Sequence, residues 1–368
     1  MALTYLTELS LSHFRCFRQL RLETDHSPII LTGENGAGKT SILEAISLFS
    51  PGRGLRASPG HELARHPEKV GWKVTCRVQY DGGDKSISSW CKNGSRRRLE
   101  IDGQAVRQTE LAEHLRVLWL TPSMDRLWRE GAEARRRFID RTTMNLVPGH
   151  AVHAARYERA MRERNRLLRD HRDDVAWFNA IESRMADSGS EINQGRKYAV
   201  RQLARICADR ESAFPAASLK LISPKGAHAL ATDPNDLAES LARERNRDMA
   251  AGRTLCGPHR ADLEVALLPD GIAANLCSTG EQKALLISLI LATARAILDD
   301  FEYPPLLLLD EVAAHLDAKR LGSFLTEATS LQVQLWMTGT DATLFSDIAA
   351  SAQMRQVLST PEGSIICS

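Results

Sequence analysis

Residues 28–49 read PIILTGENGAGKTSILEAISLF. The apolar start suits a buried strand, the middle is a glycine loop, and the end has the periodicity of a helix. Gly33, Glu34, Asn35, Gly36, Ala37, Gly38, Lys39 and Thr40 complete the pattern G-x-x-x-x-G-K-[ST]. Strand, loop and helix in this order demand an α/β fold around a parallel sheet. The glycines let backbone N–H groups converge on phosphate oxygens. Lys39 is then expected to reach the β- and γ-phosphates, and Thr40 to hold Mg²⁺. Ser41 follows in the first helical turn, where the helix N-terminus adds favourable partial charge. The pattern predicts ATP and Mg²⁺ as ligands.

A second segment supplies the other half of such a site. Leu306–Leu309 is an apolar run that suits a central strand covered on both faces, and Asp310 and Glu311 follow it. Asp310 at the strand end is expected in the Mg²⁺ shell, and Glu311 beside the attacking water. Between the two segments, Ser278-Thr279-Gly280-Glu281-Gln282 heads another apolar run. Ser278 and Glu281 stand at the spacing of a helix capping box. The glycine would also let a backbone approach a phosphate.

Composition excludes several classes. The chain has 368 residues, 43% hydrophobic and 26% charged, with net charge +2, so bulk charge does not decide for or against nucleic acid. The seven cysteines are scattered without a C-x-x-C pair, which argues against a zinc knuckle or a disulfide framework and for a reducing cytosol. The N-terminus carries charge too early for a signal peptide. The most apolar window, 284–294, is too short to span a bilayer.

Along the chain, 6–23 reads as paired strands, 51–60 as a loop, and 69–80 with 85–93 as antiparallel strands around a DGGD turn. Residues 96–106 read as a small hairpin and 115–122 as a strand. From about 133 to 210 the pattern is long-helical and polar, with Pro148-Gly149 as its one strong break. Residues 261–278 read as two strands around a Pro-Asp-Gly turn, 281–298 as a helix, and 331–339 as a strand. The expected organisation is a discontinuous ATPase domain of residues 1–132 plus 250–368, with a β subdomain at about 65–120. A helical domain, 133–249, is inserted into it.

Arginine is unevenly distributed. Residues 135–172 hold eleven arginines, no lysine and four acids. Arg135, Arg136 and Arg137 form one cluster. Arg156, Arg159, Arg162, Arg166 and Arg169 can share a broad helical face. Arg96, Arg97 and Arg98 make another cluster, and Arg53 and Arg56 lie in the loop after the first helix. Such residues can bind DNA phosphates without reading sequence, although an Arg-rich helix also suits a solvated face with i,i+4 ion pairs. No recognition helix or aromatic stacking platform is evident.

These motifs together resemble the RecF family of bacterial recombination mediators, ABC-type ATPases related to Rad50/SMC heads. LSHFRCF (11–17), GENGAGKTSILEAI (33–46), RRRFIDR (135–141), GPHRADL (257–263), STGEQK (278–283) and LLLLDEVAAHLD (306–317) carry the resemblance, which spans essentially the whole chain. It implies an ABC-type P-loop ATPase head with an antiparallel β subdomain and an inserted α-helical domain. It implies that residues 278–282 complete the ATP site of a second copy in an ATP-dependent head-to-tail homodimer, with Asp317 as the D-loop aspartate. Arg15 would lie near the nucleotide, or be ordinary surface, and His259 and Arg260 near the site, or in a charged turn. The implied activity is a weak, DNA-stimulated ATPase on a clamp for gapped, single-stranded or double-stranded DNA. The implied setting is the cytoplasm, with RecR and RecO as partners, in repair, replication restart and the SOS response. Residues 119–125 lack the glutamine, and 338–341 the histidine, that related ATPases often use to sense the γ-phosphate, which predicts slow hydrolysis. A transporter ATPase subunit and an SMC/Rad50-like structural ATPase are the alternatives. The insertion is too short, and without sustained heptads, for a long coiled-coil arm.

Overall fold

The computed structural model describes residues 3–68, 70–92, 95–172, 174–209, 212–301, 303–311, 316–346 and 348–367. In chain order, β1 (Tyr5–Phe14) and β2 (Phe17–Glu23) form a hairpin, and β3 (Ile29–Thr32) leads through the glycine loop into α1 (Lys39–Ser47). Strands β4 (Trp72–Tyr80), β5 (Gly83–Cys91), β6 (Arg98–Ile101) and β7 (Gln104–Ala105) form a meander, followed by β8 (Val117–Leu120). Then come α2 (Ala132–Leu146), α3 (His150–Arg169), α4 (Val175–Asp209), β9 (Ala217–Ile222), α5 (Pro234–Arg243) and α6 (Arg245–Ala251). The chain continues with β10 (Asp262–Leu267), β11 (Ile272–Ala273), α7 (Thr279–Phe301), β12 (Leu306–Leu309) and α8 (Ala318–Ser330). It closes with β13 (Leu335–Gly339), β14 (Gln353–Thr360) and β15 (Gly363–Cys367).

Two compact units result. The first comprises Met1–Met124, Glu211–Ala213 and Ile290–Ser368. It holds an antiparallel sheet in the order β2-β1-β4-β5-β6-β7 and a second sheet in the order β15-β14-β3-β13-β12-β8. In the second sheet β8, β12, β13, β3 and β14 run parallel, and only β15 at the edge is antiparallel. Strands β3, β8 and β12 are buried at every position, as a parallel sheet covered on both faces requires. By contrast β4 alternates, with Trp72, Val74, Cys76 and Val78 inward. Helix α1 lies against strands of both sheets, and Ile42, Leu43 and Ile46 share one core with Phe14, Phe17, Leu308 and Trp336. The P-loop is therefore anchored by apolar burial on both sides of α1.

The second unit comprises Asp125–Arg210 and Phe214–Leu289. It holds α2–α6 and a small sheet in the order β11-β10-β9. The break at Pro148-Gly149 separates α2 from α3, with Gly149 at φ +85° in a left-handed turn. The core joins Tyr157, Leu168, Phe178, Ile181, Met185, Leu237 and Leu241. Gly189 of α4 lets α5 approach closely, since a Cβ there would stand 2.6 Å from Leu237 Cδ2.

Two expected boundaries differ. The first unit resumes at Ile290, inside α7, rather than at 250. The reason is that β10 pairs along its length with β9, which ties 262–267 to the second unit. The antiparallel sheet also begins well before residue 65, because β1 inserts between β2 and β4. Among the described residues, no helix is long and apolar enough to cross a membrane. The apolar window 284–294 is the buried middle of α7.

Candidate functional site

The glycine loop is shaped by its neighbours. Gly33, at φ +147°, passes so close to β14 that a Cβ would lie 2.2 Å from Val357 O. Gly38, at φ +112°, lies under Cys16 and Phe17, and a Cβ there would stand 2.6 Å from Cys16 Sγ. Glu34, Asn35 and Gly36 are exposed, while Ala37, Gly38 and Ser41 are buried. Lys39 is only 4% exposed, and its Nζ donates to Gly33 O (2.6 Å) and Glu34 O (2.8 Å). Burial lowers its pKa, while the Glu311 and Asp310 carboxylates oppose that shift.

At the ends of β12 and β13 a compact polar cluster forms. Thr40 Oγ1 donates to Asp310 Oδ1 at 2.8 Å. Thr338 Oγ1 donates to the same oxygen at 2.9 Å, and accepts the Glu311 backbone N–H at 2.8 Å. Glu311 itself holds φ +51°, a conformation rare for a side chain of its kind and costing about 1–3 kcal/mol. The cluster thus fixes the Asp310 carboxylate and the Glu311 backbone at the sheet's carboxyl edge, where open α/β sheets bind ligands. Thr338 was missed as a site residue by sequence reasoning, although a lone hydroxyl ending the apolar run LWMTG was its signal. A hydroxyl and a carboxylate at 2.8 Å are hard oxygen donors suited to Mg²⁺. Backbone N–H groups and a buried lysine suit a phosphate chain. These residues fit ATP and Mg²⁺.

Arg15 occupies the turn between β1 and β2 at φ +53°. Its Nε and Nη2 donate to the two carboxylate oxygens of Glu44 at 2.8 and 2.6 Å. Nη2 also reaches Ser58 Oγ (2.7 Å), and Nη1 reaches Glu62 O (3.1 Å). Glu44 is wholly buried on α1, so it requires a cation, and Arg56 adds a longer contact at 3.6 Å. The guanidinium expected near phosphate is therefore directed into a clamp that ties α1 to the loop carrying Arg53 and Arg56. Glu44 was the legible sign, a lone acid in the apolar run SILEAISLF.

The segment 278–282 opens α7. Ser278 N and Oγ both donate to Glu281 Oε2, at 2.8 and 2.7 Å, and Glu281 N donates weakly back to Ser278 Oγ at 3.4 Å. This is the reciprocal capping arrangement that the spacing allowed. Ser278, Thr279 and Gly280 nonetheless remain exposed beyond the cap. Gln282 turns inward: its Nε2 donates to Cys277 O at 3.0 Å, and its own carbonyl accepts the Trp128 indole N–H at 3.0 Å. Asp317 is exposed and caps α8, accepting Arg320 N at 2.8 Å, while positions 312–315 of the same motif lie outside the described residues.

The arginines divide into two sets. Arg97 is nearly buried, donating to Ser89 Oγ (2.8 Å), Gly52 O (3.1 Å) and Leu48 O, and burial pulls its pKa to about 10. Arg135 makes a two-pronged pair with Asp262 at 2.8 and 2.7 Å, and Arg136 donates to Ala261 O at 2.8 Å. These three are partly covered and engaged within the fold, where they fasten loops and β10. Arg164 is wholly buried, bridging Glu182 (3.0 Å), Asp248 (2.6 Å), Thr254 (2.9 Å) and Leu241 O (2.9 Å). Arg53, Arg56, Arg96, Arg98, Arg137, Arg156, Arg159, Arg162, Arg166 and Arg169 are exposed. His259 is packed inside the second unit, between Tyr157 Oη (2.8 Å) and Thr254 O (3.0 Å), while Arg260 is exposed.

The sequence profile of the RecF/RecN/SMC N-terminal domain family matches residues 5–360. A Mesorhizobium japonicum protein named DNA replication and repair protein RecF is 43% identical over 367 residues, covering 97% of each chain. The chain belongs to the RecF family. A Rhizobium meliloti protein of the same name is 44% identical over 361 residues, 95% of this chain and 96% of that one. Among solved structures, the recombination mediator protein RecF-ATPrS of the RecFOR pathway matches this RecF-family chain with a TM-score of 0.84 at 21% identity, covering 99% and 98%. An Smc head domain from Pyrococcus furiosus matches with a TM-score of 0.54 at 17% identity, covering 99% and 96%. The structural likenesses establish the fold, an ABC-type ATPase head shared by RecF and SMC proteins.

Proposed function

We propose that this RecF-family chain is an ATP-dependent DNA clamp that acts in DNA replication and repair. The observation that carries the reading is the cluster at the P-loop, where Thr40, Asp310, Thr338 and Glu311 meet beside the buried Lys39. Asp310 and Thr40 would hold Mg²⁺ and Lys39 the phosphates. Glu311, whose backbone is fixed by Thr338, would orient the attacking water. A bound Mg²⁺–ATP supplies charge neutralisation across the transferred phosphoryl group.

Exposed Ser278, Thr279 and Gly280 at the head of α7 support completion of the site by a second copy. A helix N-terminus with exposed donors is suited to the γ-phosphate of a partner's ATP. ATP then favours the head-to-tail dimer because it binds that state better than separated heads. Slow hydrolysis releases the dimer, with DNA stimulating turnover. The exposed arginines support gapped, double-stranded and single-stranded DNA as ligands. The RecF names and the RecFOR pathway of a solved relative support RecR and RecO as partners, recombinase loading as the task, and replication restart and the SOS response as the setting, in the cytoplasm.

Sedimentation of wild type and Ser278→Arg, with and without Mg²⁺–ATP and gapped DNA at two salt concentrations, tests this reading. Wild type alone is expected to dimerise with ATP and to hold DNA in that state. If both proteins remain monomeric and bind DNA equally, Ser278 is only a helix cap and the shared site is wrong.

A further inference from the structure

Trp177 is the one exposed phenylalanine, tyrosine or tryptophan among the described residues, at 52% relative exposure. It lies in the first turn of α4, close to Val175, which is 59% exposed. The position is the tip of the α3–α4 hairpin, whose preceding turn is short. Asp174 Oδ1 accepts the Trp177 backbone N–H at 3.0 Å, which fixes the helix start while leaving the indole outward. An indole left half in solvent, with an exposed valine two residues away, leaves apolar area open to a ligand at the helix start.

The exposed face of α3 that leads towards it is cationic. Arg184 of α4 donates to Glu163 of α3 at 2.8 Å, which sets the level of the two helices. Trp177 stands two turns before Arg184 on the same face of α4, about 10 Å along the axis. On the antiparallel α3, the matching level is about residue 170, one helical turn beyond Arg166. Arg159, Arg162 and Arg166 follow the i, i+3, i+7 spacing of one helical face and are all exposed. Acids are present too: Glu158 contacts Arg162 at 3.5 Å, Asp170 contacts Arg166 at 3.8 Å, and Asp173 and Asp174 flank the turn in sequence. Those pairs are solvated and exchange readily for phosphate. Arg156 and Arg169 add to the excess of exposed positive charge on this helix.

We propose that the hairpin tip is a subsite for an unpaired base of single-stranded DNA. Trp177 stacks on the base, and Arg159, Arg162 and Arg166 hold the phosphates that lead to it. The inference rests on the DNA-binding reading above and deepens it, since it gives the protein a way to distinguish a gap from an uninterrupted duplex. In a continuous duplex every base is already stacked and paired, so only the arginines can engage. At a gap a base is available to the indole, and base–aromatic stacking adds about 1–3 kcal/mol, roughly a 5- to 150-fold gain in affinity.

The test compares affinities for a gapped duplex and a fully paired duplex of equal length at one salt concentration. The proteins are wild type, Trp177→Phe, Trp177→Ala and the triple variant Arg159→Gln/Arg162→Gln/Arg166→Gln, each with its Tm measured. A second readout is the fluorescence of 2-aminopurine placed in the gap. Trp177→Ala is expected to lose at least 5-fold on gapped DNA, to match wild type on duplex, and to lose the 2-aminopurine quench. Trp177→Phe retains both, and the triple variant weakens on both DNAs. Equal gapped-DNA affinity and equal quenching in wild type and Trp177→Ala overturn the subsite while leaving DNA binding intact. If wild type binds neither DNA, the DNA reading fails and the subsite falls with it.

Discussion

A methyl group at position 33 would meet Val357 O at 2.2 Å, with the backbone held at φ +147°. The neighbour is the main chain of β14, which cannot swing aside as a side chain would. Gly33→Ala therefore combines a steric collision with backbone strain of about 1–3 kcal/mol, and is expected to lower Tm by several degrees and to abolish nucleotide binding together. Retained ATP affinity at an unchanged Tm would show that β14 yields. Thr338 offers a finer test at the same site. Thr338→Val keeps volume but removes the hydrogen bond to Asp310 Oδ1 and the acceptor for Glu311 N. Nucleotide affinity is expected to persist while turnover falls about 10- to 100-fold, a loss of roughly 1.4–2.8 kcal/mol in the barrier. Equal turnover in single-cycle measurements would mean that Thr338 does not position Glu311. Glu44→Gln addresses the buried clamp: it strands the Arg15 guanidinium, whose side chain is 21% exposed. Breaking such a pair costs about 3 kcal/mol, to be read as a lower midpoint in denaturant.

Among the elements, the second unit owes its shape to buried polar groups on helices, and one of them titrates. His259 sits in the short turn before β10, accepting the Tyr157 hydroxyl on one ring nitrogen and donating from the other to Thr254 O. Burial, reinforced by nearby Arg260, Arg136 and Arg164, brings its pKa down to about 4, although Thr254 O pulls the other way. In the unfolded chain the ring titrates near 6.5. Between those values the unfolded chain takes up a proton that the folded one refuses, so stability falls as pH drops from 6.5 towards 4 and is fully present above 6.5. The Tm advantage of wild type over His259→Gln should accordingly shrink across that window; a constant difference would show that His259 titrates normally. Such a role could not be read from GPHRADL, because Tyr157 lies on α3, far away in sequence. The same limit explains other gaps in the sequence reading. The P-loop and β12 were legible because strand, loop, helix and chemistry are contiguous there. Strands β14 and β15 were not singled out, since QMRQVLST is polar and gains its strand from pairing with β3. Strand β9 was missed for a similar reason, since its partner β10 lies beyond α5 and α6. Arg97 and Arg135 looked like parts of basic clusters, and only the folded chain reveals the carbonyls and the carboxylate that absorb them.

For the whole molecule, a net charge of +2 says little about DNA, while the division of its arginines says much. Those that are buried serve the fold, and those left in solvent on α3 are free to exchange weak ion pairs for phosphates. Each phosphate neutralised releases counterions, so the logarithm of affinity falls linearly with the logarithm of salt, by about 0.9 per contact. Loss of Arg159, Arg162 and Arg166 to glutamine should therefore reduce the slope on duplex DNA by roughly 2–3, with Tm nearly unchanged because all three are exposed. Arg97→Gln should behave oppositely. Its guanidinium holds Leu48 O and Gly52 O at the end of α1, so the variant is expected to lose stability while keeping the salt slope. Titrations at four salt concentrations, set beside thermal melts, separate the two classes. A slope unchanged by the triple substitution would move the DNA path off α3. The exposed candidates Arg53, Arg56, Arg96 and Arg98 in the first unit would then be the next to vary, and a reduced slope there would locate the phosphate track on the head rather than on the helical unit.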